Sequence, residues 1–323
     1  MIASLPLSVF EALEVELAGF STPVLRQAAE RISLAYRGNA PIRASLSAID
    51  RAAYLAVRFP STFAAANRVW QEIAHLIPLE AIATILDAGS GPGTASLAGY
   101  SHVQSGTRFT RLERDHGWRD IADRMAAACG LEGAFHHGVI ARAMQFGEHD
   151  GVIACYALGE LPPAERAASI AGLWSAAAKM LVVIEPGTPA GFENVLHVRQ
   201  YCLTAGGHAL APCTHDAHCP MSRADWCHRP VRVERSDLHR AVKGAELGYE
   251  DEKFAYIVMT RETPPRHAPA RIVRKPMRNT GHLHLDVCEA GELKRRTITR
   301  SDGAIYRRAR DAAWGDLWPP QGE

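Results

Sequence analysis

The chain has 323 residues, of which 47% are hydrophobic and 22% are charged, close to the average of folded globular proteins. This composition excludes a disordered, collagen-like or coiled-coil protein, and no apolar run approaches the roughly 20 residues that cross a bilayer. The formal net charge of +1 is unevenly distributed: residues 222–310 hold 20 basic and 12 acidic residues, a net of +8, which leaves −7 for the remainder.

The N-terminal stretch does not have the pattern of a signal peptide. It carries no Lys or Arg before Arg26, and Glu11, Glu14 and Glu16 interrupt its apolar residues. We therefore expect a cytoplasmic protein.

Residues 1–80 are expected to form a helical domain. Apolar residues recur at helical spacing in residues 23–37 and 42–59. Pro60 should end the second of these helices, and Ser61 or Thr62 should cap a third that stops near Pro78. The segment contains no catalytic motif, which favours a packing or docking role.

Residues 81–262 alternate short apolar runs with longer amphipathic ones, the pattern of βαβ units around a parallel sheet. The pattern predicts an α/β, Rossmann-like, doubly wound domain. The predicted strands are 82–87, 108–113, 133–138, 151–156, 180–185 and 254–260, and the clearest helices are 117–129, 163–178 and 192–203.

An irregular, cysteine-rich insertion is expected at about 205–240. It is dense in Cys, His, Pro and Arg, so apolar burial alone should not order it. Residues 263–323 form a basic β/α extension. It starts with a linker at 263–270, continues with three strand-like runs at 271–276, 282–288 and 293–299, and ends in a short helix at 304–315.

A glycine-rich turn follows the first predicted strand. Gly89, Ser90, Gly91 and Gly93 directly follow Asp87 and its Ala neighbour, and such glycines let the backbone approach a ligand closely. The spacing is one residue shorter than in the dinucleotide fingerprint. A carboxylate at the end of the strand suits a ligand with an ammonium group better than a pyrophosphate.

Glu113 ends the second strand, where an acid can accept hydrogen bonds from ribose hydroxyls. Together with Asp87 and the glycines it resembles the S-adenosylmethionine site of class I methyltransferases. The alternative is a glycine turn needed only for packing. Tyr156 and Glu160 are expected to line the pocket near the ends of the strands.

Two features depart from that class. The third strand ends in His136, His137 and Gly138, where the class often has an acid, and the fourth strand ends in CYALGELPP instead of an Asn/Asp-Pro-Pro-aromatic motif. Cys155 lies near where some enzymes carry a nucleophile, but a buried strand cysteine is the simpler interpretation. No catalytic residue is predicted.

Four of the seven cysteines are candidates for a metal site. Cys213, Cys219 and Cys227 fall within 15 residues, and Cys288 follows 61 residues after Cys227. The intervals are wider than the short pairs of zinc sites and suit the corners of an iron–sulfur cubane, although zinc remains the alternative metal. The other three, Cys129, Cys155 and Cys202, are expected in the core.

The segments LDAGSGPGTAS, VVIEPGTPAGF, PCTHDAHCPM and DWCHRPVRVERS together resemble bacterial members of the mitochondrial small-ribosomal-subunit methyltransferase-like family. The resemblance covers nearly the whole chain. It implies a class I methyltransferase fold, binding of S-adenosylmethionine at Asp87 and the three glycines, and a [4Fe–4S] cluster on Cys213, Cys219, Cys227 and Cys288. It also implies a role in assembly of the small ribosomal subunit.

Two functions follow as hypotheses. The first is an S-adenosylmethionine-dependent methyltransferase that acts on 16S-type rRNA of the small subunit or on its assembly. The second is an assembly factor that binds the donor without transferring a methyl group. Neither requires a membrane or DNA. Under both, the expected phosphate contacts are Arg232, Arg235, Arg240, Lys243, Arg295, Arg296, Arg307 and Arg308.

Overall fold

A computed structural model describes residues 2–37, 46–221, 224–265 and 268–319 of the chain. The predicted start of the second helix at residue 42 lies outside the described residues, as does part of the predicted linker. None of the described helices is both long and apolar enough to cross a membrane.

The first part of the chain is helical, as expected. It forms α1 (Leu7–Leu17), α2 (Thr22–Arg37), α3 (Ala48–Val57) and α4 (Phe59–Leu76). The side chain of Ser47 caps α3 by accepting from the Asp50 N–H at 3.1 Å. The apolar faces of these helices pack against one face of the central sheet in a single continuous cluster.

The second predicted helix ends at Val57, shortly before Pro60, as expected, but the predicted cap of the next helix was wrong. Pro60 lies in the first turn of α4, where a proline is tolerated because the N–H it lacks has no partner within the helix. Arg58 occupies the capping position, but its side chain makes no capping hydrogen bond to the helix. Ser61 lies inside the helix and donates to Glu250 Oε1 at 2.7 Å, so neither Ser61 nor Thr62 is the cap.

The middle of the chain alternates strands with helices. Its elements are β1 (Thr84–Ala88), α5 (Thr94–Tyr100), β2 (Arg108–Glu113), α6 (Arg119–Ala128), β3 (Gly133–His137), β4 (His149–Cys155), α7 (Pro163–Ala176), β5 (Ala177–Pro186), α8 (Pro189–Thr204), β6 (His208–Ala211), β7 (Arg229–Glu234), α9 (Asp237–Lys243) and β8 (Tyr249–Thr260).

These strands form one sheet in the order β3-β2-β1-β4-β5-β8-β6. Strands β1 to β5 are parallel, and β8 runs antiparallel between β5 and β6. A sheet whose order reverses at the first strand, with one late reversed strand next to the fifth, is the class I methyltransferase arrangement. The predicted fold class is therefore confirmed.

The sheet is covered on both faces, which explains its long apolar runs. Along β5, Met180, Val182 and Ile184 join the cluster that includes α1 to α6, whereas Leu181 and Val183 join the cluster of α7 and α8. This alternation follows from the two-residue period of a strand.

The cysteine-rich insertion is less irregular than expected. Two of its segments, β6 and β7, pair with opposite halves of β8, and Ala3 adds an isolated bridge to Val233 on the outer side of β7. The segment is thus ordered in part by backbone hydrogen bonds to a strand that comes later in the chain.

The C-terminal part forms a second, antiparallel sheet with a short helix. Its elements are β9 (Ala270–Ile272), β10 (Met277–Asn279), β11 (His282–Glu289), β12 (Glu292–Thr299), α10 (Ala304–Asp311) and β13 (Leu317–Trp318). Strand β11 is central: β12 pairs along one edge, and β10 and β9 share the other. A small core that includes Leu285 and Trp318 holds α10 on this sheet.

Candidate cofactor pocket and cysteine cavity

The glycine-rich turn joins β1 to α5 and is anchored to β2. The backbone N–H groups of Gly89 and Ser90 both donate to Leu112 O, at 2.8 and 3.1 Å. Gly89, Gly91 and Gly93 have φ values of 78°, 52° and 85°, a region that residues with a side chain rarely adopt. The backbone path of this turn therefore requires glycine.

Asp87 lies at the end of β1 and is only 1% exposed. Its Oδ2 accepts from the N–H and the hydroxyl of Ser96 at 3.1 and 2.6 Å. Burial raises the pKa of Asp87 to about 6, against the lowering effect of the Ser96 hydrogen bonds. Among the described residues, Asp87 Oδ1, Ser90 Oγ and Thr94 Oγ1 are buried without a hydrogen-bond partner.

Glu113 ends β2 and faces the same pocket. Its Oε2 accepts from the Gly91 N–H at 2.9 Å, and its Oε1 accepts from the Asp115 N–H at 2.8 Å. A carboxylate has about four acceptor positions, so these two bonds leave capacity for ligand hydroxyls. Glu113 thus supports the glycine turn while presenting its carboxylate to the pocket.

Tyr156 follows β4 and has a φ of 54°, unusual for a residue with a bulky side chain. Its hydroxyl donates to Glu252 Oε1 at 2.9 Å, and burial followed by the nearby Glu252 raises its pKa well above 10. Burial likewise raises the pKa of the neighbouring Cys155 thiol well above 9. Both side chains line the pocket in their neutral forms.

Glu185 is fully buried at the end of β5. Its Oε1 accepts from the Leu158 N–H at 3.1 Å, and its Oε2 accepts from the Gly159 N–H at 3.1 Å and from Asn194 Nδ2 at 2.9 Å. Burial raises the pKa of Glu185 to about 7. This acid therefore fixes the turn that follows β4, which carries Glu160 to the pocket wall.

The pocket contains about 1090 Å³ of empty space, part of it open to solvent. All seven residues predicted to bind the donor lie in or beside it, and all but Gly93 line it directly. Sequence reasoning missed several other lining residues: Leu46, Tyr54, Thr62, Asp115, Trp118, Val139 and Ile140.

Asp115 links the helical segment to this pocket. Its Oδ2 accepts from the Leu46 N–H at 3.2 Å and from Arg51 Nη1 at 3.0 Å. Nearby, Trp118 packs edge-on against Tyr54 with ring centroids 5.4 Å apart. The position of Asp115, two residues after Glu113, is a signal in the sequence that could have identified this side of the pocket.

A second cavity lies between α8, β8 and the C-terminal sheet. Cys213, Cys219, Cys227 and Cys288 all line it, around about 610 Å³ of empty space. The structure therefore brings together the four cysteines selected from the sequence. The fully buried Cys202 lies in the core, as expected, and Cys129 and Cys155 are half-buried outside this cavity.

Burial in the cavity raises the pKa of three of its thiols, those of Cys219, Cys227 and Cys288. Burial, followed by the charges of the neighbouring cysteines, raises the pKa of Cys227 and of Cys288 to about 12, and burial also raises that of Cys219. His215 Nε2 lies 3.4 Å from Cys288 Sγ and accepts from the Gly291 N–H at 3.0 Å. Only the deprotonated form of a thiol is a strong metal ligand. Thiolates buried in this cavity therefore require a compensating cation.

Among the described residues, no group of three or more Cys, His, Asp or Glu side chains is arranged to hold a metal ion. The metal-binding prediction is therefore unconfirmed. Four sulfurs around one shared cavity are nevertheless compatible with a cubane, because its corners hold their ligands farther apart than a single ion does.

Most of the predicted phosphate contacts already have carboxylate partners. Arg232 binds Asp251 through two hydrogen bonds of 2.8 and 3.0 Å, and Arg295 binds Asp286 in the same manner at 2.7 and 3.0 Å. The other paired members are Arg235 and Lys243 on Glu250, Arg240 on Asp237, and Arg296 on Glu289. Within the described part of the chain, Arg307 and Arg308 on α10 are exposed and have no carboxylate partner.

Similarity to known proteins extends over most of the chain. The family described as "Mitochondrial small ribosomal subunit Rsm22" matches residues 48–319. The human mitochondrial ribosome assembly protein METTL17 is 28% identical over 289 residues, which cover 82% of this chain and 62% of that protein. A mitochondrial Rsm22-cox11 tandem protein of Schizosaccharomyces pombe is 25% identical over 301 residues, which cover 74% of this chain and 39% of that protein. The chain thus spans less than two thirds of these relatives.

Two solved structures are similar at low identity. The magnesium protoporphyrin IX methyltransferase of Synechocystis with bound S-adenosylmethionine is 18% identical, with a TM-score of 0.41, over 62% of this chain and 80% of that one. TrmN of Thermus thermophilus is 15% identical, with a TM-score of 0.39, over 64% of this chain and 53% of that one. The fold assignment rests on the strand order.

Proposed function

This chain belongs to the Rsm22 family of mitochondrial small ribosomal subunit proteins, and from that premise we propose that it is an S-adenosylmethionine-dependent methyltransferase. It acts on the rRNA of the small ribosomal subunit during assembly and carries a structural [4Fe–4S] cluster. The observation that carries the proposal is the pocket beside β1, where Asp87 Oδ1, Ser90 Oγ and Thr94 Oγ1 are buried and unpaired among the described residues.

These residues fit the donor chemically. The Asp87 carboxylate suits the donor's ammonium group, the glycine turn gives backbone access, and Glu113 faces the pocket where ribose hydroxyls would need an acceptor. S-adenosylmethionine supplies an activated methyl group when bound, and positioning then provides much of the rate enhancement. The chain contributes mainly orientation and exclusion of water.

Transfer of a labelled methyl group tests this function. Precursor small subunits from a strain that lacks the protein are incubated with labelled S-adenosylmethionine and purified protein. We expect label in the small-subunit rRNA with the wild type, no label with Asp87→Ala, and wild-type labelling with the exposed control Asp120→Ala. Absence of label with cluster-loaded wild-type protein would contradict methyl transfer.

A second function is favoured by the acceptor side of the pocket. The Tyr156 hydroxyl is bound to Glu252 and the Cys155 thiol is neutral, so neither is an effective base or nucleophile. The alternative is an assembly factor that binds the donor without transferring methyl. It predicts that Asp87→Ala restores growth of the deletion strain, whereas Cys219→Ser does not; the opposite pattern excludes it.

The cluster is supported by the shared cavity of the four cysteines and by their wide spacing. We expect close to four iron and four sulfide per chain in protein purified without oxygen, and their loss in Cys213→Ser and Cys288→Ser. The Cys202→Ser variant is the control, because Cys202 does not line the cavity. One zinc and no sulfide would contradict the cluster.

The proposed partner is the small ribosomal subunit or its precursor, including 16S-type rRNA. The relatives named above support a ribosomal partner. Membership of a bacterial branch of the family and a cytoplasmic location remain predictions from the sequence, as do the domain boundaries near residues 80 and 262.

A further inference from the structure

Three arginines in the wall of the cysteine cavity are almost completely buried. Arg199 on α8 is 4% exposed, and Arg229 on β7 and Arg271 on β9 are each 5% exposed. Buried guanidinium groups are costly unless an opposite charge compensates them. Their presence beside four cysteines therefore requires an electrostatic explanation.

One carboxylate, Glu72 on α4, serves two of these arginines. It forms ion pairs with Arg229 and, through Oε1, with Arg271 Nη1 at 2.6 Å. Although burial raises the pKa of Glu72, Arg271 and Arg229 lower it to about 2, so Glu72 carries one negative charge. Arg68 also lies near this carboxylate; it is a further cation, but it is only half-buried.

Arg199 is held by main-chain oxygens, and no carboxylate pairs with it in the described part of the chain. Its Nη2 donates to the carbonyl oxygens of His215 and Ala217, at 3.1 and 2.6 Å. Three buried cations and one buried anion leave a surplus of about two positive charges beside the cavity. Arg274, which also lies near Cys227, is paired with Asp225 and leaves this balance unchanged.

Two N–H groups of these arginines lack partners. Arg199 Nε and Arg271 Nη2 are buried and make no hydrogen bond to any described residue. A buried donor without an acceptor destabilises the fold, and a charged one does so more strongly. Both donors belong to side chains that line the cysteine cavity, so a negatively charged ligand there would satisfy them.

We propose that Arg199 and Arg271 bind and electrostatically compensate the [4Fe–4S] cluster, an inference that rests on the cluster of the proposed function. A cubane core of charge +2 on four thiolates carries a net −2, which matches the buried surplus. The unpaired N–H groups of the two arginines donate to cluster or thiolate sulfur. Hydrogen bonds to sulfur and net charge are among the factors that set cluster potentials.

The reduction potential of the holoprotein tests this role. One-electron reduction by dithionite takes the cluster from −2 to −3, which surplus positive charge favours. Arg199→Met should therefore lower the potential and Glu72→Gln should raise it, each by at least a tenfold change in the reduction equilibrium, which is 59 mV for one electron. Arg199→Lys, which keeps the charge, should fall between Arg199→Met and the wild type.

The directions in which the reduction potential shifts in the two variants distinguish electrostatic compensation by the arginines from a loss of folding. Opposite shifts in Arg199→Met and Glu72→Gln support the role, because a general loss of folding would move both in one direction. Arg295→Met is the matched control, because its guanidinium lies at the surface on Asp286. If Arg199→Met and Glu72→Gln both have the reduction potential of the wild type, the role of the arginines is contradicted but the cluster is not. Absence of iron and sulfide from the wild-type protein would contradict the cluster itself.

Discussion

At the scale of single residues, the pocket beside β1 depends on a carboxylate whose properties are set by burial. The pKa of Asp87 is about 6, against an ordinary value of 3.8, because the folded protein removes it from water. The folded state therefore binds a proton here more tightly than the unfolded state. Two pH dependences of opposite sign follow from this.

The first concerns stability without ligand. Stability contributed by Asp87 should rise as the pH falls through about 6 and be complete below about 3.8, to at most about 3 kcal/mol. Urea unfolding at pH 5 and pH 7.5 measures it. In Asp87→Asn this part of the pH dependence should disappear; an unchanged profile would show that Asp87 does not titrate in this range.

The second concerns donor affinity. The donor's ammonium group needs the ionised carboxylate, so affinity for S-adenosylmethionine should decrease as the pH falls below about 6. Calorimetric titration from pH 5 to 7.5 measures this decrease. Asp87→Asn should bind at least tenfold more weakly at pH 7.5, since charged hydrogen bonds contribute roughly 1.5–3 kcal/mol, and should show little dependence on pH.

Gly89 provides a steric test of the same turn. A Cβ at Gly89 would lie 2.8 Å from Ala157 Cβ, whereas one at Gly106, whose φ is also strongly positive, would meet nothing within 4 Å. Gly106→Ala should therefore cost only the conformational strain, about 1–2 kcal/mol. Gly89→Ala should cost roughly 1–3 kcal/mol more from overpacking. Equal urea midpoints for the two variants would exclude a tight approach at Gly89.

At the scale of helices and strands, local compensation decides which basic residues are available. The basic segment 222–310 contains all the expected phosphate contacts, but most of these side chains pair with carboxylates brought close by the fold. Strand pairing creates these neighbours: Arg295 lies opposite Asp286 in the ladder between β11 and β12. The sequence interval of nine residues alone did not indicate that ion pair.

Helix α10 should therefore supply the RNA contacts. Replacing both Arg307 and Arg308 with Ala should weaken binding to small-subunit rRNA and lower the salt slope by about 0.7–0.9 for each phosphate that is no longer neutralised. Replacing Arg295 and Arg296, which have carboxylate partners, should change it less. Filter binding over a series of salt concentrations measures both slopes. Equal decreases in salt slope for the Arg307/Arg308 and the Arg295/Arg296 double variants would show that RNA phosphate displaces the carboxylate partners.

The elements that the sequence predicted well are those with a strong local pattern. Strand β2 has the predicted limits, 108–113; Phe109 and Leu112 are buried within it and Glu113 ends it. Strands β6 and β7 were missed, because their His, Pro and Arg residues lack a strand pattern and their order comes from pairing with β8. The glycine turn and the four cysteines were predictable from type and spacing. Tyr54 and Thr62 were not, because they reach the pocket from distant helices.

At the scale of the whole molecule, α4 connects the two sites. Thr62 lines the donor pocket, and Glu72, ten residues later, pairs with the arginines of the cysteine cavity. At 1.5 Å per residue these positions are about 15 Å apart along one buried helix. Trp70 of the same helix also packs where Gly99 of α5 leaves room, since a Cβ there would lie 2.7 Å from the indole. A shift of α4 would therefore displace residues at both sites.

Coupling between the sites should be measurable. Loss of the proposed cluster in Cys227→Ser would leave the cavity arginines uncompensated and should weaken binding of S-adenosylmethionine by about fivefold or more. By thermodynamic reciprocity, the donor should strengthen cluster binding by the same factor. Cys202→Ser is the control, with an intact cluster and unchanged donor affinity by calorimetry. Identical donor affinity in both variants would show that α4 does not couple the two sites.

The order in which the four cysteines are synthesised follows from their positions along the chain. Cys288 on β11 is made 61 residues after Cys227, and it is aligned by pairing of β11 with β9 and β12. At about 5–20 residues per second, a growing chain holds three cysteines without the fourth for about 3–12 s. Iron and sulfide delivered during that interval would meet an incomplete site. Delivery of the proposed cluster would therefore have to wait until translation has passed β11, and a chain that stalls earlier would expose three thiols to oxidation.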